Sequence, residues 1–368
     1  MFFLSQRATI SAGLARPYEI HSAENAFTAA CSGSCSRPWA QPATKMDIIV
    51  VAEQMAGAPL AELERRYQVV HLPHLWEDAE ALCKQVKNAS ALLVRNQTQV
   101  DARVFASAPK LRVIGRAGVG LDNVDLAAAT AAGVVVSYSP GANANAVAEL
   151  TCGYMIALSR HLTAAHQHVR QGGWKRLDYL GQEIAGRTLA VVGCGAIGRL
   201  TATKAIALGM NVVGYDPFMS PLHPQIAGLG LELGPLDEVI ARADFVSCHV
   251  PSSPQTLGLF NAKRFALMRR GAIFINTSRG NVVDEEALCS ALVQGHLAGA
   301  ALDVRALEPP KAGALETLRN VILTPHIGGL TREAQEAVMH MICNDVSCVL
   351  EGKAAVNFAN FATPQAGR

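Results

Sequence analysis

From Met46 onward, short β-branched runs alternate with segments of helical periodicity, and this alternation constrains the fold more than any other feature. The first set of strand-like runs is DIIVV, QVVHL, ALLVRN, LRVIGRAG and VVVSYS; the second is TLAVVG, NVVGYD, FVSCHV, AIFINTS, AGAALDV and VILTPH. Helix-like segments such as LAELERRY, LDEVIARA and DEEALCSALVQG separate them. Strict alternation predicts parallel sheets with helices on their faces, joined by right-handed crossovers. Two such sets predict two α/β domains.

Length and composition agree with this interpretation. The chain has 368 residues, half of them hydrophobic, which is enough for two globular cores. A formal charge of +2 gives no electrostatic reason to expect nucleic acid or an acidic membrane as a partner. No window of about 18 apolar residues predicts a membrane span. The nine cysteines form no C-x-x-C pair, so we expect reduced thiols, no metal site and a cytoplasmic location.

The first 45 residues differ from the rest, because Ser, Ala, Pro and Gly occur there without steady periodicity. We expect a disordered leader or an upstream start codon, with Met46 opening the folded protein. A transit peptide is the alternative, since basic residues outnumber acidic ones in this segment.

The run TLAVVGCGAIGRLTA contains a G-x-G-x-x-G pattern at Gly193, Gly195 and Gly198, directly after an apolar strand. The first glycine permits a tight turn, the second lets backbone approach a pyrophosphate, and the third lets helix pack on strand. The following helix N-terminus favours phosphate groups. The next strand ends on Asp216, where a carboxylate can accept the ribose hydroxyls of NAD and repel the 2′-phosphate of NADP. The pattern therefore predicts NAD.

A short set of residues follows the other strands of the second set, where ligands bind in open parallel sheets. They are His249 and Pro251, Arg279, Asp303 and Glu308, and His326. Arginine can bind a substrate carboxylate bidentately, and histidine can exchange a proton with a carbonyl oxygen. A neighbouring carboxylate favours the protonated imidazole. These groups predict reduction of a 2-oxo acid.

Each of these residues also has an ordinary structural interpretation. Arg279 can bridge to a helix carboxylate, Glu308 before Pro309 can be a solvated turn residue, and His326 can be a packed loop residue. Their coincidence on one sheet edge with a dinucleotide pattern favours catalysis. Because only the second set carries the glycines, we place the cofactor there and the substrate on the first set. The segment from Asn145 to about Gln171 and the last helix, from Thr331 to about Leu350, show helical spacing.

Several stretches together resemble the D-isomer-specific 2-hydroxyacid dehydrogenase family, especially members similar to D-3-phosphoglycerate dehydrogenase. The resemblance spans Met46 to about Ala359 and rests on GRAGVGLDNVDL (115–126), NAVAEL (145–150), VVGCGAIGR (191–199), CHVP (248–251), NTSRGNVVDEEAL (276–288), LDVRALEP (302–309) and TPHIGG (324–329). It implies two doubly wound parallel-sheet domains with a cleft between them. The flavodoxin-like substrate domain would comprise residues 46–143 plus 330–360, and the Rossmann NAD-binding domain residues 144–329.

The resemblance also assigns roles to residues. It implies catalysis by Arg279, Glu308 and His326, and substrate binding by Arg95, Gly118, Val119 and Arg279. The implied cofactor contacts are Gly193, Gly195, Ala196, Ile197, Gly198, Asp216, His249, Pro251, Thr277, Ser278, Arg279, Asp303, His326, Gly328 and Gly329. A homodimer through the helical region after Asn145 is implied as well, and no C-terminal regulatory domain is expected.

The expected activity is NAD-dependent hydride transfer at C2 of a small D-2-hydroxy acid. Where many family members have phenylalanine, this chain has Arg305, expected as a solvated loop residue near the site. Arg95, Arg305, Lys175 and Arg176 leave room for a second anionic group, which favours a phosphoglycerate-like or sulfolactate-like acid over glyoxylate or hydroxypyruvate. An NAD(H)-sensing, corepressor-like binding protein is the alternative from another functional class.

Overall fold

A computed structural model describes residues 47–363; the predicted leader and Met46 lie outside them. Two parallel β-sheets are built from the described residues. The strands of the first sheet are β1 Ile48–Val51, β2 Gln68–His71, β3 Ala91–Val94, β4 Val113–Arg116 and β5 Val135–Ser137. Those of the second are β6 Thr188–Val192, β7 Asn211–Tyr215, β8 Glu232–Leu233, β9 Phe245–Cys248, β10 Ile273–Asn276, β11 Gly299–Leu302 and β12 Val321–Leu323.

Helices connect these strands and cover both faces of each sheet. They are α1 Ala58–Arg66, α2 Ala79–Gln85, α3 Ala102–Ser107, α4 Leu126–Ala131, α5 Ala144–Ser159, α6 Leu162–Arg170, α7 Ala196–Ala207, α8 Leu236–Ala241, α9 Ala262–Leu267, α10 Glu285–Val293 and α11 Arg332–Leu350. Strands such as β3 (ALLV) and β10 (IFIN) are buried at every position. This is why they read as continuous apolar runs in the sequence.

The strand order confirms the predicted fold class of two doubly wound parallel sheets. The first sheet has the order β2-β1-β3-β4-β5 and the second β12-β11-β10-β9-β6-β7-β8, with every recorded strand pair parallel. The first order is flavodoxin-like, and the second extends the Rossmann order. In the second sheet the direction of winding reverses between β6 and β9. The carboxyl ends of these strands therefore flank the crevice in which such sheets bind ligands.

The segment after Asn145, which shows helical spacing in the sequence, is not one continuous helix. It forms two helices, α5 and α6, because His161 between them adopts a left-handed backbone conformation with φ of 53°. α5 packs against α7 and the second sheet, whereas α6 buries none of its residues.

The last helix, α11, returns to the first sheet and packs against β4. A Cβ at Gly115 of β4 would lie 2.5 Å from Ile342, so only glycine allows this close approach. The buried stripe of α11 includes Val338, Ile342 and Val346, as the spacing predicts. Met339 is buried there as well, whereas Met341 is only partly buried.

Candidate active site

A cleft of about 880 Å³ opens at the carboxyl ends of the strands of both sheets. The first sheet contributes residues 95–96 and 116–123, and the second contributes residues 249–252 and 277–281. The loops after β11 and β12 add Asp303, Arg305, Ala306, Glu308, His326 and residues 328–330. The predicted site residues that line it are Arg95, Gly118, Val119, Ile197, His249, Pro251, Thr277, Ser278, Arg279, Asp303, Glu308, His326, Gly328 and Gly329. The strand-end rule thus brings most of the predicted residues into one cavity.

His326 and Glu308 form a hydrogen-bonded pair in this cleft. Nδ1 of His326 lies 2.7 Å from Oε2 of Glu308, and about a third of each side chain is exposed. Burial works to raise the pKa of Glu308, but the contact with His326, the N–H of Arg305 and the charge of Arg279 outweigh it and lower that pKa. Glu308 is therefore a carboxylate at neutral pH. With Nδ1 engaged, the Nε2 atom of His326 is left for exchange with a ligand.

The turn that carries His326 is held by Asp303. His326 has a left-handed φ of 56°, and its N–H donates to the Asp303 carbonyl at 2.8 Å. The Asp303 carboxylate accepts the N–H groups of Ile327 and Gly328 at 2.8 and 2.7 Å. It also accepts the hydroxyl of Thr324 at 2.6 Å. Because Asp303 is only 1% exposed, this buried carboxylate fixes the turn and, with it, the position of the imidazole.

Arg279, from the loop after β10, reaches across the cleft to the first sheet. Its Nε donates to Asp122 at 2.8 Å, and Nη1 donates to the Ser278 carbonyl at 2.7 Å. A Cβ at Gly120 would lie 1.8 Å from Nη2, so glycine makes room for the guanidinium. The Asp122 ion pair leaves Nη2 for a ligand carboxylate beside the His326 pair.

A second arginine, Arg116, was missed by the sequence analysis. It is the last residue of β4, is only 8% exposed, and donates one long hydrogen bond of 3.4 Å to Asn123. No carboxylate forms an ion pair with it among residues 47–363. Burial and then the charge of Arg279 lower its pKa to about 10. The rule that polar residues at strand ends mark the site, applied to the first sheet, would have found it.

Arg95 lies at the end of β3, and a buried carboxylate positions its loop. Glu53, 3% exposed, accepts the N–H groups of Arg95 and Thr98 at 2.7 and 3.0 Å. Burial lowers the pKa of Arg95, although the charge of Glu53 opposes this change. Arg95 and Arg116 therefore provide two partly desolvated cations on the first-sheet side of the cleft.

The glycine loop has the geometry that its pattern predicts. Gly193 has a φ of 96°, and a Cβ at Gly198 would lie 2.0 Å from the Gly193 carbonyl oxygen. Space is open around the Cβ position of Gly195, at the start of α7. Asp216 accepts the N–H of Cys194 at 2.8 Å, which ties the end of β7 to this loop. The residues present fit a dinucleotide: free helix N–H groups, an uncrowded backbone and an acid at the ribose position.

Several predicted cofactor residues lie away from the cleft lining itself. Gly193, Gly195, Ala196, Gly198 and Asp216 belong to the glycine loop and the end of β7, whereas Ile197 reaches the cleft.

His249, by contrast, lies in the cleft. Its Nε2 is 2.9 Å from the Ser247 hydroxyl, and its buried Nδ1 has no hydrogen-bond partner in the described part of the chain. Burial lowers the pKa of His249 to about 4, so the ring is neutral.

Arg305 contradicts the expectation of a solvated loop cation. Only 10% of its side chain is exposed, and its guanidinium pairs with Glu285 and Glu316. Two carboxylates neutralise it, so it does not serve as a free cation for a substrate. Lys175 and Arg176 also fall outside the residues that line the cleft. Of the four basic residues first considered for a second anionic group, Arg95 alone remains, and Arg116 joins it.

The chain is similar in sequence and in fold to known proteins. Residues 152–328 match the family model of the D-isomer specific 2-hydroxyacid dehydrogenase NAD binding domain. The chain is 42% identical over 308 residues to D-3-phosphoglycerate dehydrogenase of Mycobacterium bovis, covering 84% of this chain and 58% of that protein. It thus spans little more than half the length of the curated relatives it matches.

The fold of the chain is also similar to solved structures over nearly the whole length of those structures. The TT0316 protein of Thermus thermophilus is 36% identical, with a TM-score of 0.80 over 85% of this chain and 99% of that one. A glyoxylate reductase from Paecilomyes thermophila is 27% identical, with a TM-score of 0.77 over 85% and 98%. The fold, the NAD-binding segment and these similarities place the chain in the D-isomer-specific 2-hydroxyacid dehydrogenase family.

Proposed function

We propose that this protein is an NAD-dependent oxidoreductase that moves a hydride between nicotinamide and C2 of a small D-2-hydroxy or 2-oxo acid. The observation that carries the proposal is the 2.7 Å contact of His326 with Glu308 in the same cleft as Arg279. A proton donor, its carboxylate partner and a carboxylate-binding cation are the groups that reduction of a 2-oxo acid requires.

Each residue has one task in this scheme. Arg279 binds the substrate carboxylate through Nη2, beside the nitrogen that Asp122 already occupies. His326 gives a proton from Nε2 to the carbonyl oxygen, and Glu308 stabilises the imidazolium before transfer. Gly118 and Val119 line the same cleft, but the Gly118 N–H donates to the Arg116 carbonyl at 2.8 Å, so we assign the Val119 N–H to the substrate carboxylate. NAD(H), when bound, supplies or accepts the hydride at C2. In the oxidation direction the same imidazole takes the hydroxyl proton.

The first-sheet side of the cleft favours a substrate with a second anionic group. Arg116 is a buried cation without a carboxylate partner among the described residues, and Arg95 lines the same cleft. A phosphate or sulfonate would offset the repulsion among these arginines and Arg279. We therefore favour a phosphoglycerate-like or sulfolactate-like acid. Glyoxylate and hydroxypyruvate, which lack that group, are the alternative substrates.

The test is a screen by NADH absorbance in both directions, with His326→Ala as the inactive control. The acids are 3-phosphoglycerate, sulfolactate, glycerate and lactate; the corresponding 2-oxo acids and glyoxylate are used for reduction. We expect the highest kcat/KM for a substrate with two anionic groups. Tight NADH binding without turnover of any acid would overturn the enzyme assignment and favour a sensor.

We propose further that the substrate domain comprises residues 46–143 and 330–360 and the NAD-binding domain 144–329. A homodimer fits the apolar side chains exposed after α6: Trp174 is 76% exposed, Leu177 87% and Leu180 83%. Light scattering on Leu177→Asp/Leu180→Asp should give a monomer; an unchanged mass would exclude this surface.

The described residues hold no helix long and apolar enough to cross a membrane. Free thiols at all seven cysteines between residues 47 and 363 support a cytoplasmic location.

A further inference from the structure

The loop that carries Glu308 is closed around the side chain of Arg305, three residues earlier. The guanidinium meets both carboxylate oxygens of Glu285, with Nε at 3.1 Å and Nη2 at 2.8 Å. Its third nitrogen, Nη1, donates to Glu316. Glu285 begins α10, and Glu316 lies in a 3₁₀ turn before β12. One buried cation therefore joins the two elements that flank the loop.

The cluster of Arg305, Glu285 and Glu316, called the clamp below, is linked to the Glu308 carboxylate by backbone contacts. The N–H of Arg305 donates to Oε1 of Glu308 at 3.1 Å, and Oε2 of the same carboxylate contacts His326. Glu285 also accepts the N–H of Ala306 at 2.8 Å. The Arg305 carbonyl packs on Gly280, where a Cβ would lie 2.0 Å from its oxygen. The orientation of Glu308 thus depends on where the Arg305 backbone is held.

We infer that Arg305 is a positioning residue that fixes the orientation of the Glu308 carboxylate on His326. This inference rests on the proposed function for its catalytic consequence. A bidentate, largely buried guanidinium holds a fixed geometry better than a single flexible contact does. Without it, Glu285 and Glu316 would repel each other and the loop would separate from α10.

The other charged groups that face the His326 pair do not act through this clamp. Arg279, from the loop after β10, lies near Glu308, and Asp122 pairs with it from the first sheet. Asp303 lies beneath the turn and binds its backbone N–H groups. None of these three contacts the guanidinium of Arg305, so its removal leaves them in place.

The experiment is an NMR titration of His326 in the full chain labelled with ¹³C-histidine, its signal identified by its loss in His326→Ala. Arg305→Met should move the midpoint to lower pH, because a displaced Glu308 carboxylate stabilises the imidazolium less. Glu308→Gln should move it further. Adding Arg305→Met to Glu308→Gln should then have no further effect, because the clamp acts only through that carboxylate.

Arg264→Met is the matched control. Arg264 of α9 is also a partly buried arginine, paired with Asp237 of α8 through a 3.0 Å contact, but it lies outside the cleft lining. Its removal should leave the midpoint unchanged. If Arg305→Met does not fold, Glu316→Gln, which removes one arm of the clamp, should shift the midpoint in the same direction by less.

An unmoved midpoint in the folded Arg305 or Glu316 variant, or equal shifts with and without Glu308, would overturn the inference. The titration needs no turnover. Failure of the substrate screen would therefore overturn the proposed function separately from this result. If the enzyme is active, the pH limb of kcat should move with the midpoint while the Kd for NADH stays the same.

Discussion

Replacing Arg116 with methionine should raise the free energy of unfolding of the protein without ligand and should also raise the KM for its substrate. Burial lowers the pKa of this guanidinium to about 10, so it remains charged at neutral pH in a site that disfavours the charge. At about 1.4 kcal/mol per pKa unit, the lowering amounts to about 3 kcal/mol of unfavourable free energy. Methionine removes this cost and loses only the 3.4 Å hydrogen bond to Asn123, worth about 1 kcal/mol.

The expected net gain in the free energy of unfolding is therefore roughly 2 kcal/mol at pH 7, or a rise in Tm of a few degrees. The sign follows from linkage. A cation whose pKa is lower in the folded state than in the unfolded state destabilises the fold at all pH values below about 10. This destabilisation decreases as the pH rises through that value. Urea unfolding at pH 7, read by circular dichroism, measures the gain. The KM for a phosphorylated substrate should rise by about 10- to 100-fold, the worth of one charged hydrogen bond.

Arg112→Met is the control for this prediction. Arg112 precedes the same strand, but its guanidinium donates to the carbonyls of Leu350, at 3.0 Å, and Val349 at the end of α11. Its loss should lower stability and leave KM unchanged. If Arg116→Met were less stable than the natural protein, or bound the phosphorylated substrate equally well, the reasoning about a desolvated, unpartnered cation would be wrong.

Three further substitutions test the rest of the site. His326→Ala should lower kcat by about 10² to 10⁴, the range for loss of a general acid, while NADH binding measured by fluorescence persists; an unchanged rate would remove its role. Asp216→Ala should reduce the preference for NAD over NADP in kcat/KM, because the carboxylate that repels a 2′-phosphate is gone; an unchanged ratio would show that another group sets it. Gly198→Ala should weaken NADH binding at least tenfold, since its Cβ would lie 2.0 Å from the Gly193 carbonyl and push α7 away; calorimetry showing normal affinity would contradict this.

The fold was accessible from the sequence because its central strands, such as β3, β9 and β10, are buried at every position. Continuous apolar runs such as TLAVVG mark those strands directly. β8 was missed because Glu232 and Leu233 alone form it, and two residues carry no periodicity. The break between α5 and α6 was missed too. It depends on a left-handed conformation at His161, and neither glycine nor proline marks it.

The candidate site was predictable wherever a strand end supplied the residue. His326 and Glu308 meet as the sheet edge requires, although their catalytic roles stay predictions. The environment of Arg305 could not be foreseen, because its partners Glu285 and Glu316 lie 20 and 11 residues away in other elements. The local sequence shows only that Arg305 is a basic loop residue. Its neutralisation by two carboxylates is visible only in the tertiary packing.

The return of α11 to the first sheet has a consequence for biosynthesis. Val338, Ile342 and Val346 of this helix belong to the core of the sheet that contains β1 and β4. A ribosome releases those strands before it makes any of the second sheet, and α11 only afterwards. The part of this face that α1 does not cover thus stays exposed while the second sheet is synthesised. A stalled chain would expose that face to chaperones and proteases, and a finished one buries it last.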